Sequence, residues 1–276
     1  SLGDNKTVIT KYNNPEKLLT DYYEGMVLGE IWGYRIDGLF ASDEEATEYT
    51  SKINQDFVNA RILSDKVEPY YRAGDLKFRD LDNNNVINKG DDTVYDPGDR
   101  EIIGNETPRY NYSFRLGADW NGFDLGIFFQ GVGKRDWYPS HLSTGFWGPY
   151  ARAFTSFIPE NFMDQCWSEE NPGGYLPRFR GYQTFADSQL GVNNDRYLQD
   201  ASYIRLKNLT VGYTLPVLKK VFTKLRVYFT GENLWYWSPM KKYTKYIDPE
   251  AAGGNGNTGM AYNYSRNFSV GVDITF

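Results

Sequence analysis

The chain has 276 residues, 17% of them aromatic, with 27 glycines, 23 tyrosines and a formal net charge of −6. That charge argues against nucleic acid as a partner, and one cysteine (Cys166) with one histidine (His141) leaves no disulfide framework and no cysteine-based zinc site. No run of 18 apolar residues occurs, which excludes a membrane-crossing helix but not membrane strands that alternate polar and apolar positions.

Ser1-Leu2-Gly3-Asp4 shows no basic region followed by an apolar stretch, so either the protein is cytosolic or its targeting information lies upstream. A first strand is expected near 27–36. The stretch 38–108 is then an insertion. In it, Ser42-Asp43-Glu44-Glu45 reads as a capping box opening a short helix toward Phe57.

Further on, Asp80-Leu81-Asp82-Asn83-Asn84-Asn85-Val86-Ile87-Asn88-Lys89-Gly90-Asp91 has the spacing of a twelve-residue calcium loop. A hard cation needs several oxygens converging within a short loop. Asp80, Asp82 and Asn84 supply side-chain oxygens, Val86 a backbone carbonyl and Asp91 the closing carboxylate, so Ca²⁺ or Mg²⁺ is the candidate ion. Asn85 stands where glycine is usual, although asparagine tolerates the left-handed conformation. Ile87 is expected to anchor the loop inward. A solvated, self-bonded Asn/Asp turn is the bland alternative.

Strict period-two alternation begins at 109–120, with Tyr110, Tyr112, Phe114, Leu116, Ala118 and Trp120 on one face and Asn111, Ser113, Arg115, Gly117 and Asp119 on the other. Asn121-Gly122 is a strong hairpin signal. The return strand at 123–131 carries Phe123, Leu125, Ile127 and Phe129 on its apolar face, with Phe128 as a misfit. A long connection at 132–202 follows. Its aromatics Trp137, Tyr138, Trp147, Tyr150 and Trp167 are candidates for contacting a ligand, since tryptophan and tyrosine stack on sugars and anchor interfaces. Packing of the loop on itself is the equal alternative.

Strands at 203–213, 224–236 and 267–276 complete the pattern. The first slips phase at Lys207-Asn208, which predicts a β-bulge. Short turns on one side and long connections on the other, aromatics at strand ends and a terminal Phe276 predict an all-β fold. The expected architecture is the C-terminal part of an antiparallel transmembrane β-barrel with long extracellular loops. Apolar faces would meet outer-membrane lipid, and Arg115, Asp119, Asp124, Arg226, Glu232 and Asp273 would line the lumen. The alternative is a soluble or surface β-sandwich that binds carbohydrate through aromatic loops.

Several segments resemble the C-terminal region of the SusC/RagA family of TonB-dependent transporters. They include Gly74-Asp75-Leu76-Lys77-Phe78-Arg79-Asp80-Leu81-Asp82, Ile102-Ile103-Gly104-Asn105 and Gly122-Phe123-Asp124-Leu125 through Phe128-Phe129-Gln130-Gly131. The series continues with Ala201-Ser202-Tyr203-Ile204-Arg205-Leu206-Lys207-Asn208-Leu209-Thr210-Val211-Gly212-Tyr213, with Gly231-Glu232-Asn233-Leu234 and with the terminal phenylalanine. The resemblance implies an outer-membrane importer of oligosaccharides or peptides paired with a SusD-like surface lipoprotein. It also implies a plug and a segment contacting the TonB complex that lie outside this sequence. Paired carboxylates such as Asp91-Asp92 show no spacing that would define a glycosidase cleft. No nucleophile elbow, phosphate loop or zinc-protease motif is present, so no enzyme is expected.

Overall fold

The computed structural model describes residues 1–58, 70–152, 158, 160–180, 189–216, 223–253, 258 and 261–276. Its largest element is an antiparallel six-stranded sheet in the order β1 (Leu2–Asp4), β6 (Tyr110–Trp120), β7 (Phe123–Val132), β12 (Tyr203–Leu215), β13 (Lys224–Trp237) and β14 (Asn267–Thr275). Between β6 and β7, Trp120 pairs with Phe123 across the Asn121-Gly122 turn. Both turn residues have positive φ, 48° and 86°, the geometry that matches the twist of the flanking strands.

Register follows the hydrophobic alternation, because a slip of one residue would exchange the two faces. Phe114 pairs with Phe129, and Leu116 with Ile127. Across the sheet Val211 meets Leu125 and Phe229, and Val227 meets Val272. The predicted bulge is present: pairing of β12 with both neighbours shifts between Leu206 and Asn208. The apolar face has no partner layer among the described residues, and Val270 and Val272 are 77% and 55% exposed. Such a face on six strands suits lipid and not water.

The hydrophobic core lies elsewhere, in the long connections. Every one of these leaves the sheet from the end where β6 begins, β7 ends, β12 begins and β13 ends. There Leu76, Phe78, Ile87, Trp137, Trp147, Tyr150, Leu176, Tyr197, Met240 and Ile247 form one buried cluster. Four small ladders among the described residues support it: β2 (Glu30–Tyr34) with β5 (Arg100–Asn105), β3 (Ile36–Leu39) with β4 (Leu76–Phe78), β8 (Asp136–Trp137) with β11 (Gln199–Asp200), and β9 (Cys166–Trp167) with β10 (Leu176–Arg178). The strand expected near 27–36 is therefore real but sits in this assembly instead of the large sheet. Its Ile31 and Tyr34 are buried in the core, and period-two patterning alone does not say which partner a strand will find.

The capping box opens helix α1 (Asp43–Thr50), where the Ser42 hydroxyl accepts from the Glu45 amide at 3.2 Å. Glu45 reaches back one residue further than the motif requires, to the Ala41 amide at 2.7 Å. It also pairs with Lys77 of β4, which ties the helix N-terminus to the core.

Candidate functional site

The polar face of the sheet carries the first candidate. On β13, Arg226 forms two hydrogen bonds to Asp124 of β7, at 2.8 and 2.6 Å, and a third to Asp273 of β14 at 3.0 Å. β12 lies between β7 and β13, so the guanidinium must pass over it. It does so at Gly212, where a Cβ would stand 2.6 Å from both Nε and Nη2 of Arg226. The glycine is the gap that lets a charge pair bridge alternate strands. Higher on the same face, Arg115 stacks over Phe128 at 5.5 Å. Phe128 breaks the alternation because it faces the polar side as a platform for a cation. Between these layers Gly117, Gly126, Thr210, Thr230 and Ser269 pair in one row, leaving a low, hydroxyl-bearing furrow.

Toward the loop end the face becomes crowded. Arg205 is 1% exposed. It pairs with Asp248, which is itself buried, and with Glu250 at 3.0 Å. Lys207 holds both oxygens of Glu250 at 2.8 Å. Tyr236 and Tyr264 present their rings to the Arg205 guanidinium at 4.7 and 5.2 Å. A second buried charge knits the connections together. The Asp75 carboxylate accepts from Arg180 Nε at 3.0 Å, Gln189 Nε2 at 3.2 Å and the Arg72 amide at 2.9 Å, joining the 38–108 insertion to the 132–202 connection.

The five aromatics expected to meet a ligand are placed as follows. Trp137, Trp147 and Tyr150 are fully buried and Tyr138 nearly so, all four in the main core. The Trp147 indole nitrogen donates to the carbonyls of Pro139 and Ser140 at 3.1 Å, and the ring lies edge-on to Tyr197. Tyr138 donates to the Val192 carbonyl at 3.0 Å, and Tyr150 to that of Pro177. Trp167 is half-buried, its ring against Gly74, where no side chain would fit. These rings serve the packing of the connections: a 71-residue stretch between strands at 132–202 must build its own core, and aromatics bury the most area per residue. Burial pushes the Cys166 thiol up, the state of a packed rather than a reactive cysteine.

In the 80–91 loop Asn85 takes positive φ, 65°, and Ile87 is fully buried, as the spacing implies. Asp80 accepts from the amides of Asn84 and Asn85 at 3.2 and 2.8 Å, and Asn84 from that of Val86 at 2.7 Å. The Val86 carbonyl accepts from the Asn88 side chain at 2.9 Å. The carboxylate that converges with Asp80 and Asp82 is Asp99, with ligand atoms of all three within 4.8 Å of one another; Asp91 is not in that group. Asp99 is buried and spans the loop, accepting from the Leu81 and Asn88 amides at 2.8 Å. Burial, with the neighbouring Asp82 and Asp80 charges, pushes its carboxyl above the usual range. A twelve-residue window ends before this residue, and only its return through the β5 connection reveals it.

No family model matches the chain. Among characterised proteins it is 29% identical over 269 residues to the TonB-dependent receptor P3 of Formosa agariphila, covering 92% of this chain and 22% of that protein. The receptor P26 of the same organism is 28% identical over 217 residues, 74% of this chain and 20% of the relative. At these identities the chain is similar to a portion of a TonB-dependent receptor. Solved structures agree on the fold. The RagAB peptide importer in its open-open state matches 99% of this chain and 24% of its own, at a TM-score of 0.54 and 20% identity. The closed-closed state gives 0.55 over 97% and 25%. The chain thus spans about a quarter or less of the transporters it matches.

Proposed function

We propose that the intact protein imports oligosaccharides or peptides across the bacterial outer membrane, with this portion supplying a sector of the barrel wall and the connections above it. The observation that supports this reading is the two-faced sheet, with an exposed apolar side suited to lipid and a polar side braced by the Arg226 ion pairs. Its long connections face the cell exterior in this reading, and Phe276 lies at the periplasmic rim. A SusD-like surface lipoprotein covers the barrel, and the TonB complex acts through a segment outside this sequence. The protein is a transporter component and not an enzyme. The 80–91 loop, closed by Asp99, holds Ca²⁺ or Mg²⁺ in a structural role: Asp80, Asp82 and Asp99 offer the carboxylate oxygens, and a divalent cation would offset their mutual repulsion.

Membrane fractionation of the native host, with gel mobility compared before and after boiling, tests the placement. Outer-membrane recovery with a boiling-dependent shift is expected, and a soluble product of unchanged mobility would overturn it. Growth of a deletion strain on single oligosaccharides and on peptides then identifies the cargo.

A further inference from the structure

We propose that residues 238–253, between β13 and β14, form a strap drawn over the polar face of the sheet, and that Arg205 with Lys207 is the catch that holds it. The inference rests on the reading of that face as the lumen. Arg205 pairs with Gln130 of β7 and Tyr236 of β13 in the ladders, which places it on the polar face. Asp248 and Glu250 belong to the connection and reach it there. The connection therefore folds inward across the wall instead of standing clear of it.

The bulge at Leu206–Asn208 gives the catch its width. Arg205 and Lys207 fall two apart on one face before the phase slips, so one carboxylate, Glu250, is shared between two cations. Arg135 adds a hydrogen bond to the Pro249 carbonyl at 3.1 Å, and Asp248 also receives the Glu250 amide at 3.0 Å. Ile247 and Ala252 flank the charged centre and are buried in the main core. The strap is thus anchored by apolar contacts at its shoulders and by charge at its middle. Desolvated ion pairs of this kind hold one geometry and release it as a unit when a partner is lost. Release would uncover Arg205, Lys207 and the rings of Tyr203 and Tyr236 to a solute in the lumen.

The test is arginine-selective modification by phenylglyoxal in the full-length protein, read by peptide mass spectrometry with the exposed Arg115 of the same face as internal reference. In the unaltered protein Arg205 is expected to react at least tenfold more slowly than Arg115. In Asp248→Asn and in Glu250→Gln it should approach the Arg115 rate, while the boiling-dependent mobility shift is retained. Equal reactivity of the two arginines in the unaltered protein would overturn the strap. Continued protection in both variants would overturn the catch and assign the closure to the apolar shoulders. Should Asp248→Asn lose the mobility shift, the more exposed Glu250→Gln decides alone. The readout is independent of cargo, so failure of the import reading leaves its result intact.

Discussion

Gly212 offers a sharp test of how the wall is braced. Gly212→Ala places a methyl 2.6 Å from Nε and Nη2 of Arg226, so the guanidinium must leave Asp124. A charged hydrogen bond contributes about 1.5–3 kcal/mol in a sheltered site, but pairs in contact with water keep only about 0–1 kcal/mol. The Arg226 and Asp124 side chains are 18% and 27% exposed, between these limits. A net loss of about 1–2 kcal/mol is expected for the bidentate pair. In an Arg226→Met background the methyl meets only the Asp124 carboxylate, which is then unpaired and free to swing aside, and alanine should be favoured over glycine within a strand by about 0.5–1 kcal/mol. The same substitution therefore changes sign between the two backgrounds. Urea unfolding of the full-length protein in detergent, for the four members of this double-mutant cycle, measures the coupling. Equal cost of Gly212→Ala with and without Arg226 would refute the bridging role and leave backbone strain as the glycine's reason.

Three further outcomes are expected. Val272→Arg on the apolar face should destabilise the membrane-inserted protein by about 2–4 kcal/mol if mid-membrane, whereas a solvated sandwich would show almost no change in its unfolding midpoint. Saturating Ca²⁺ should raise thermal stability, by about 2.7 kcal/mol at a hundredfold excess over Kd; Asp99→Asn should abolish that gain, and if Asp91→Asn does so instead, the closing ligand is Asp91. Glu45 is held below its ordinary 4.5 by the Lys77 ammonium and then by the Ala41 amide, so its contribution is present above 4.5 and lost as pH falls through the lower folded value. Amide exchange at Ala41 should accelerate across that acid window in the native protein, and a Glu45→Gln variant that keeps the same acid-dependent step would contradict the assignment.

The sequence by itself determined the two-faced strands, their pairing across Asn121-Gly122, the bulge at Lys207 and the common end from which the long connections leave. These are consequences of local rules: side-chain direction alternates with each residue, and a turn type demands particular φ values. The helix cap at Ser42 and the inward Ile87 were legible for the same reason, each being fixed by neighbours a few residues away.

What the tertiary structure decided are the meetings of residues far apart in the chain. Trp137, Trp147 and Tyr150 read equally as ligand platforms or as a loop packed on itself, because aromatic composition does not distinguish a loop that greets solvent from one that packs on Leu76, Tyr197 and Ile247. The strand near 27–36 shows its period but not its partner. Asp99 lies outside any calcium-loop window and enters by way of Leu81 and Asn88. Arg205 meets Asp248 across 43 positions and Arg226 meets Asp124 across 102. Charges at such separations are paired only by the fold, because which carboxylate reaches a guanidinium depends on strand order and on the glycine that clears its path.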